Sequence, residues 1–313
     1  MPPIDVQALA RRLPDRPVTR YAPSPTGYLH LGHVVNAVYV WGLARALGGQ
    51  VLLRVEDHDR TRSRPEYETA LLDDLDWLGL VPDLGLRPAI RGSASAFRQR
   101  DCGDMYQAAL ERLASAGLVF GCDCSRREID AEVGAAFNRE TRYPGRCRGR
   151  GLPLDTAGVR LRIDPGEERF LDGRLGERCQ DPSAQCGDML LRDRLGNWTY
   201  QFAVVVDDHR QGVDLVVRGE DLLASTGRQL RLARLLGREH APVFLHHPLV
   251  RGPDGAKLSK ARGDTGVREL RAAGVAAAEV LGRAAVAGGL LPSFRPVGPA
   301  GLADLFLLPR DRT

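Results

Sequence analysis

Val18-Thr19-Arg20-Tyr21-Ala22-Pro23-Ser24-Pro25-Thr26-Gly27 runs into Tyr28-Leu29-His30-Leu31-Gly32-His33, and the reading of this stretch decides the fold. Val18 to Ala22 is short and β-favouring, and the Pro, Ser and Gly cluster behind it is a loop. After His33 the apolar Val34, Val35, Val38, Trp41 and Leu47 are spaced for a mostly buried helix, which Gly48-Gly49 stops. The same alternation continues outward. Val51 to Val55 predicts a strand ending in Glu56-Asp57-His58-Asp59. Ser63-Arg64-Pro65-Glu66 has capping-box spacing with Pro in the first turn, and predicts a helix through Trp77 closed by Gly79. Asp104 to Ala116 predicts another helix, closed by Gly117. Further along, Tyr200 to Val206 predicts a strand ending in Asp207-Asp208-His209, and Leu215 to Val217 one ending in Arg218-Gly219-Glu220-Asp221. Ser225 to Leu236 is expected as a helix, and Val243 to Leu245 as a last short strand. Strands alternating with helices predict an α/β fold built on a doubly wound parallel sheet. Ligands bind such sheets at the carboxyl ends of the strands. The polar clusters fall there: the loop after Ala22, then 56–59, 207–209 and 218–221.

Two regions depart from the alternation. Gly121 to Met189 is rich in Cys, Gly, Arg and Asp and has little periodicity, as expected of an inserted small domain. The stretch beyond Lys260 is mostly Ala/Leu/Gly helix. The expected division is residues 17–120 and 190–262 as the two halves of one sheet domain, 121–189 as the insertion, and 263–313 as a short helical C-terminal region. With 43% hydrophobic and 27% charged residues in 313, the chain has an ordinary globular composition and is neither collagen-like nor disordered. Its most apolar stretch, Gly274 to Leu291, is interrupted by Glu279 and Arg283 and reads as a packed helix with a loop, not a membrane span. Met1 to Arg16 carries no apolar run, so no signal peptide is expected. Six scattered cysteines in a chain too large to need disulfide staples point to a reducing cytoplasm. The net charge of +4 permits a nucleic-acid partner without demanding one.

Composition also marks a site. Lys and Arg total 44, but the only lysines are Lys257 and Lys260. A genome that favours Arg codons explains the scarcity, not why both lysines share the segment Lys257-Leu258-Ser259-Lys260. Arg replaces Lys well for surface charge, and less well where a compact, mobile ammonium meets a phosphate. Gly252-Pro253-Asp254-Gly255 ahead of them has the composition of a mobile loop. His30-Leu31-Gly32-His33 lies where a turn enters a helix, and backbone N–H groups and imidazole donors there favour anions. Two histidines at a helix start are weak evidence alone; facing a lysine loop they form a triphosphate clamp.

His30-Leu31-Gly32-His33 resembles the His-Ile-Gly-His signature of class I aminoacyl-tRNA synthetases, and Lys257-Leu258-Ser259-Lys260-Ala261 resembles their Lys-Met-Ser-Lys-Ser loop. Arg20 to Gly27, Arg54-Val55-Glu56-Asp57 and Val217-Arg218-Gly219-Glu220-Asp221 look like segments specific to the glutamyl and glutaminyl branch. The likeness runs from about Arg20 to Ala261, and the replacements at Leu31, Leu258 and Ala261 remove no charged group. It implies a Rossmann-type catalytic domain that activates L-glutamate with ATP, Mg²⁺ accompanying the nucleotide. His30, His33, Lys257 and Lys260 are then the catalytic residues, with His30, Gly32, His33 and Lys260 on ATP. By the same resemblance Arg20, Ala22, Ser24, Glu56, Tyr200 and Arg218 form the glutamate pocket. The chemistry agrees: Arg20 and Arg218 can each take a carboxylate, Glu56 the ammonium, and Tyr200 can orient a carboxylate. Which Arg takes which carboxylate stays open, and a structural ion pair is the plain alternative for each.

Cys122-Asp123-Cys124 with Cys147 fits a structural zinc site, which takes four soft or borderline ligands. No His lies between His58 and His209, so a nearby fourth ligand is not His. The resemblance implies Tyr143; Cys179 and Cys186 are the rivals, and some of these cysteines, Cys102 among them, are expected to be ordinary core residues. Only 53 residues follow Lys260, too few for the anticodon-reading region of a discriminating glutamyl enzyme. The resemblance is therefore to short members of the branch. It implies transfer of glutamate to queuosine in the anticodon loop of tRNA(Asp), the anticodon arm binding where longer relatives bind an acceptor stem. A cytoplasmic monomer with no membrane partner is expected. Three alternatives remain: a truncated glutamyl-tRNA synthetase charging a tRNA 3′ end, a non-catalytic tRNA-binding module derived from a synthetase, and a nucleotidyltransferase of the same superfold.

Overall fold

The strands are β1 Val18–Tyr21, β2 Gln50–Leu53, β3 Leu84–Gly85, β4 Val119–Cys122, β5 Gly158–Leu161, β6 Glu168–Asp172, β7 Gly176–Gln180, β8 Met189–Arg192, β9 Leu215–Gly219 and β10 Val243–His247. The helices are α1 Val6–Ala10, α2 Leu31–Ala46, α3 Pro65–Leu78, α4 Gly103–Ser115, α5 Arg126–Val133, α6 Pro182–Gln185, α7 Tyr200–Arg210, α8 Thr226–Leu235, α9 Val267–Ala272 and α10 Ala277–Ala287. The structure is a computed structural model that describes residues 4–86, 94–134, 141–250 and 266–307. Seven strands form one mixed sheet in the order β3-β2-β1-β9-β10-β6-β7. Every neighbouring pair is parallel except β6 with β7. A separate antiparallel sheet has the order β4-β5-β8.

Side-chain alternation along the parallel strands divides the sheet into two chemically different faces. Tyr21, Val51, Leu53, Leu215, Val217 and Leu245 join the large core built around α2, α3 and α10. Val216 and Phe244 point the other way, into a small cluster with Leu230 of α8. Arg20, Arg218 and His246 have the parity of that second face. There the apolar surface gives way, toward the carboxyl ends of the strands, to buried charge. The C-terminal region closes the opposite face: α10 packs on α2, and Gly42 of α2 lies so close to Phe306 that a Cβ at Gly42 would meet its ring at 2.2 Å.

Three expectations need correction. Tyr200 to Val206 is not a strand but the first two turns of α7, and Asp207-Asp208-His209 ends a helix, not a strand. All residues from Phe202 to Asp208 are buried. A helix covered on every side shows no 3.6-residue period, and its β-branched run then reads as a strand. Ser63 caps nothing: the N-cap of α3 is Arg64, without a side-chain hydrogen bond, while Pro65 does occupy the first turn and Gly79 closes the helix at φ 70°. Finally, 121–189 is divided between the two sheets. β4, β5 and β8 form the small antiparallel sheet, but the β6–β7 hairpin is joined to the main sheet through β10. Among the described residues, no helix is long and apolar enough to cross a membrane.

Candidate active site

β1 delivers Arg20 to its carboxyl end, and the loop behind it carries Ala22 and Ser24 to the start of α2. The Ser24 hydroxyl donates to the Glu56 carbonyl at 2.5 Å, tying this loop to the segment that leaves β2. These elements, with β9 and the start of α7, enclose a cavity of about 520 Å³. Arg20, Ala22, Ser24, Glu56, Tyr200 and Arg218 all line it. So do His30, Gly32 and His33 at its other end, so one cavity collects the amino-acid and nucleotide residues expected from sequence. A larger hollow of about 720 Å³ lies beside the cysteines. Size does not choose between the two; the buried constellation of opposed charges is at the smaller one.

That constellation centres on Arg54, which is fully buried. Its Nη1 donates to Asp208 at 2.7 Å and to Gln211 at 2.9 Å, and its Nη2 donates to Glu56 at 2.9 Å. Burial disfavours its charge, but Asp208, Glu56 and Asp207 outweigh that and hold the guanidinium protonated well beyond its ordinary range. Asp208 is the shared partner: Arg20 Nε lies 3.3 Å from it. Burial pushes the Asp208 carboxyl up, and Arg20 with Arg54 bring it below the usual carboxylate value. Arg20 also donates through Nη1 to the Val217 carbonyl at 3.1 Å. Asp207, the other acid at the end of α7, accepts from Tyr106, Gln99 and Arg210 at 2.8–2.9 Å. Each charge is thus paired before any ligand arrives, as burial requires.

Arg218 is held differently. Its Nε donates to His246 Nε2 at 3.1 Å, Nη1 to Gln229 at 2.6 Å and Nη2 to Thr226 at 2.9 Å. Burial lowers its pKa, and the Tyr200 hydroxyl beside it works the other way. Burial, together with the Glu56 charge, pushes Tyr200 above its ordinary value, so the phenol stays protonated as a donor.

At the α2 end His30 is the N-cap. Its Nδ1 accepts from Gly32 N at 3.1 Å, and His33 Nδ1 accepts from His30 N at 3.1 Å. Both rings therefore carry the proton of their neutral form on Nε2. The ring centroids are 3.9 Å apart. A Cβ at Gly32 would meet the His30 ring at 3.0–3.1 Å, so the glycine is what lets the imidazole lie against its own backbone. Lys257 and Lys260 lie outside the described residues. The flanks of their segment border the site: Leu249 and Val250 line the cavity, and Val267 N donates to the Leu29 carbonyl at 2.9 Å, next to His30.

Four residues that matter here were not singled out for the site by sequence. Arg54 shows in the sequence only as part of a segment, and Asp208 only within a polar cluster at an expected strand end. Asp172 carries no local signal, and His246 shows only as the start of His246-His247-Pro248 after the last expected strand.

The sulfurs of Cys122, Cys124 and Cys147 lie within 4.8 Å of one another, the grouping among the described residues that could hold a metal. Cys124 and Cys147 are 3.4 Å apart, and the Tyr143 hydroxyl is 3.5 Å from Cys122 and 3.9 Å from Cys124. Tetrahedral thiolates on zinc stand about 3.8 Å apart, so these donors fit. Burial raises the Cys122 thiol, but its contacts with Tyr143 and Arg160 outweigh that and bring it below the ordinary value, whereas burial pushes the Cys124 thiol up to about 12 and the Tyr143 phenol above its ordinary value. Cys186 points instead at the Pro182 and Gly187 carbonyls, and Cys179 is exposed on β7. Cys102 is core, its thiol raised by burial to about 11.

The sequence model of the family described as tRNA synthetases class I (E and Q), catalytic domain, matches residues 17–281. A glutamyl-Q tRNA(Asp) synthetase of Nitratidesulfovibrio vulgaris is 40% identical over 305 residues, covering 93% of each chain. A glutamate–tRNA ligase 2 of Syntrophus aciditrophicus is 38% identical over 90% of this chain but only 59% of its own length. Among solved structures, a glutamate tRNA ligase from Elizabethkingia meningosepticum, in complex with its amino acid, superposes with a TM-score of 0.68 at 31% identity, over 80% of this chain and 53% of its own. The chain belongs to the class I tRNA synthetase family of the glutamyl and glutaminyl branch, a family of aminoacyl-tRNA ligases.

Proposed function

We propose that this chain activates L-glutamate with ATP to glutamyl-adenylate and transfers the glutamyl group to a hydroxyl of queuosine in the anticodon loop of tRNA(Asp). The observation that carries the choice of acceptor is the two-way coverage: the chain and its glutamyl-Q relative match over 93% of both lengths, whereas the glutamate–tRNA ligases extend far beyond it. In activation the glutamate α-carboxylate attacks the α-phosphate and pyrophosphate leaves. In transfer the queuosine hydroxyl attacks the adenylate carbonyl and AMP leaves. Catalysis is positioning and charge stabilisation. Arg20 and Arg218 take the two carboxylates, Glu56 the ammonium, and the Tyr200 hydroxyl orients a carboxylate, with Ala22 and Ser24 shaping the floor. The Nε2–H groups of His30 and His33 face the phosphates beside Gly32, Lys257 and Lys260 stabilise the departing pyrophosphate, and Mg²⁺ travels with ATP. A zinc ion on Cys122, Cys124, Tyr143 and Cys147 holds the small sheet and takes no part in the chemistry. The protein acts as a monomer in the cytoplasm.

The test is to charge queuosine-containing tRNA(Asp) with radiolabelled glutamate and map the label after nuclease digestion. Label in the anticodon-loop fragment is expected. Label at the 3′-terminal ribose would replace this reading with that of a truncated glutamyl-tRNA synthetase, and glutamate activation with no transfer to any tRNA would refute both.

A further inference from the structure

Arg218 of β9 begins a line of three side chains from three adjacent strands, with His246 of β10 and Asp172 of β6. It is in register with His246 across β9 and β10, and Asp172 at the end of β6, in register with Phe244, stands on the far side of β10. Asp172 Oδ2 is 2.6 Å from His246 Nδ1, and His246 Nε2 is 3.1 Å from Arg218 Nε. All three side chains are buried, His246 completely.

The donor inventory settles how this line is protonated. A guanidinium has no acceptor, so Arg218 Nε–H donates and His246 Nε2 presents its lone pair; the Thr226 hydroxyl, 3.3 Å from the same nitrogen, accepts from Arg218 Nη2 and can turn its own O–H to that lone pair. The imidazole is then neutral, with its proton on Nδ1, given to Asp172. Burial also lowers the His246 pKa, which agrees with a neutral ring. Asp172 is equipped to stay ionised: Oδ2 accepts the His246 backbone N–H at 3.1 Å, and Oδ1 accepts those of Arg174 at 3.0 Å and Leu175 at 2.8 Å. Burial raises that carboxyl, but these bonds and His246 more than offset it and bring it below the ordinary value. Gln229 and Thr226 hold the two terminal nitrogens, the Tyr200 hydroxyl is a further hydrogen-bond partner of the guanidinium, and Arg218 lines the cavity.

We propose that Asp172 and His246 are a positioning pair for the glutamate site: Asp172 fixes the Nδ1–H tautomer of His246, and its Nε2 lone pair holds the Arg218 guanidinium in the orientation that receives a carboxylate. The proposal rests on the function proposed above. It makes a chemical demand that mere packing does not. In Asp172→Asn an amide NH₂ facing Nδ1 drives the proton to Nε2, which turns an acceptor into a donor opposed to Arg218.

Two measurements test it. In ¹⁵N spectra of the intact protein, the His246 signal, identified by its loss in His246→Gln, should show protonated Nδ1 and bare Nε2 from about pH 6 to about pH 8. In glutamate-dependent ATP–pyrophosphate exchange, Asp172→Asn should raise the glutamate KM about tenfold or more and the ATP KM less than about threefold. His246→Gln keeps an acceptor oxygen for Arg218 and should stay within about threefold of wild type, whereas His246→Leu should fall with Asp172→Asn. If Asp172→Asn does not fold, the wild-type tautomer and the Gln/Leu contrast decide. A wild-type Nε2–H tautomer overturns the pair, as does a Gln variant no better than Leu, or a parallel rise in both KM values. Absence of exchange in wild type overturns the functional reading instead, whatever the tautomer.

Discussion

Replacing Arg20 by Gln separates a glutamate-binding role from a structural one. Arg20 is 4% exposed. Among the described residues it spends two of its five donors, on Asp208 and the Val217 carbonyl, which leaves three for a ligand. A carboxylate engaging two of them gains two charge-assisted bonds of about 1.5–3 kcal/mol each. Glutamine returns one neutral amide donor, so the net loss is about 3–4 kcal/mol, or about 10²–10³ in kcat/KM for glutamate. The fold should survive, because Asp208 keeps Arg54 at 2.7 Å. With ATP at the His30–His33 end of the cavity, as proposed, its KM should change less than about threefold. Selectivity should fall as well. In wild type an amide sets its NH₂ against guanidinium donors, and glutamate should be preferred over glutamine by about 30- to 1000-fold. In Arg20→Gln that preference should shrink if Arg20 takes the side-chain carboxylate and Arg218 the α-carboxylate, the assignment we propose. The assay is ATP–pyrophosphate exchange with glutamate, glutamine and ATP titrated separately. A wild-type glutamate KM with unchanged preference over glutamine would refute the placement of the pocket. An equal rise in the ATP KM would make Arg20 merely structural.

Lys260→Ala should slow exchange by about 100-fold or more through lost charge stabilisation in the transition state, and a rate within a few-fold of wild type would remove Lys260 from the mechanism. Cys122→Ser should lower the zinc content found by elemental analysis, and the melting temperature with it, while KM for ATP holds; a well-folded, metal-free wild-type preparation would refute the zinc site. Asp74 on α3 is 3% exposed, and burial, the largest cause, raises its carboxyl from 3.8 to about 6. Between those values the folded state keeps a proton the unfolded chain has lost, so this group's contribution to stability falls as pH rises and the penalty is complete above about pH 6. Asp74→Asn should therefore gain about 2–3 kcal/mol at about pH 8 and nearly nothing at about pH 4. Equal shifts in melting temperature at the two pH values would show that the carboxyl is not strained by burial.

Local chemistry carried much of this protein into view. Pro23 to Gly27 can only be a loop, Gly48-Gly49 and Gly79 can only end helices, and a lysine pair in a chain that otherwise uses Arg stands out without any fold. Those signals lie within a few residues of the features they specify. The expected α/β alternation and the histidine and arginine positions could be read for that reason. Where burial erased periodicity, reading failed: Phe202 to Asp208 is covered on all sides, so α7 looked like a strand and Asp208 was put at the wrong kind of terminus. Where partners come from distant strands, nothing local existed to be read. Asp172 reaches His246 and Arg218 only because β6 pairs with β10 and β10 with β9, and Arg54 finds Asp208 only because the fold brings the end of α7 to the residue that follows β2. Hydrogen bonds act over about 3 Å, and the chain brings such groups that close only when the sheet sets its strand order. Residue types and their near neighbours thus determined what chemistry this protein can do, and strand order decided which buried charges hold the reacting ones in place.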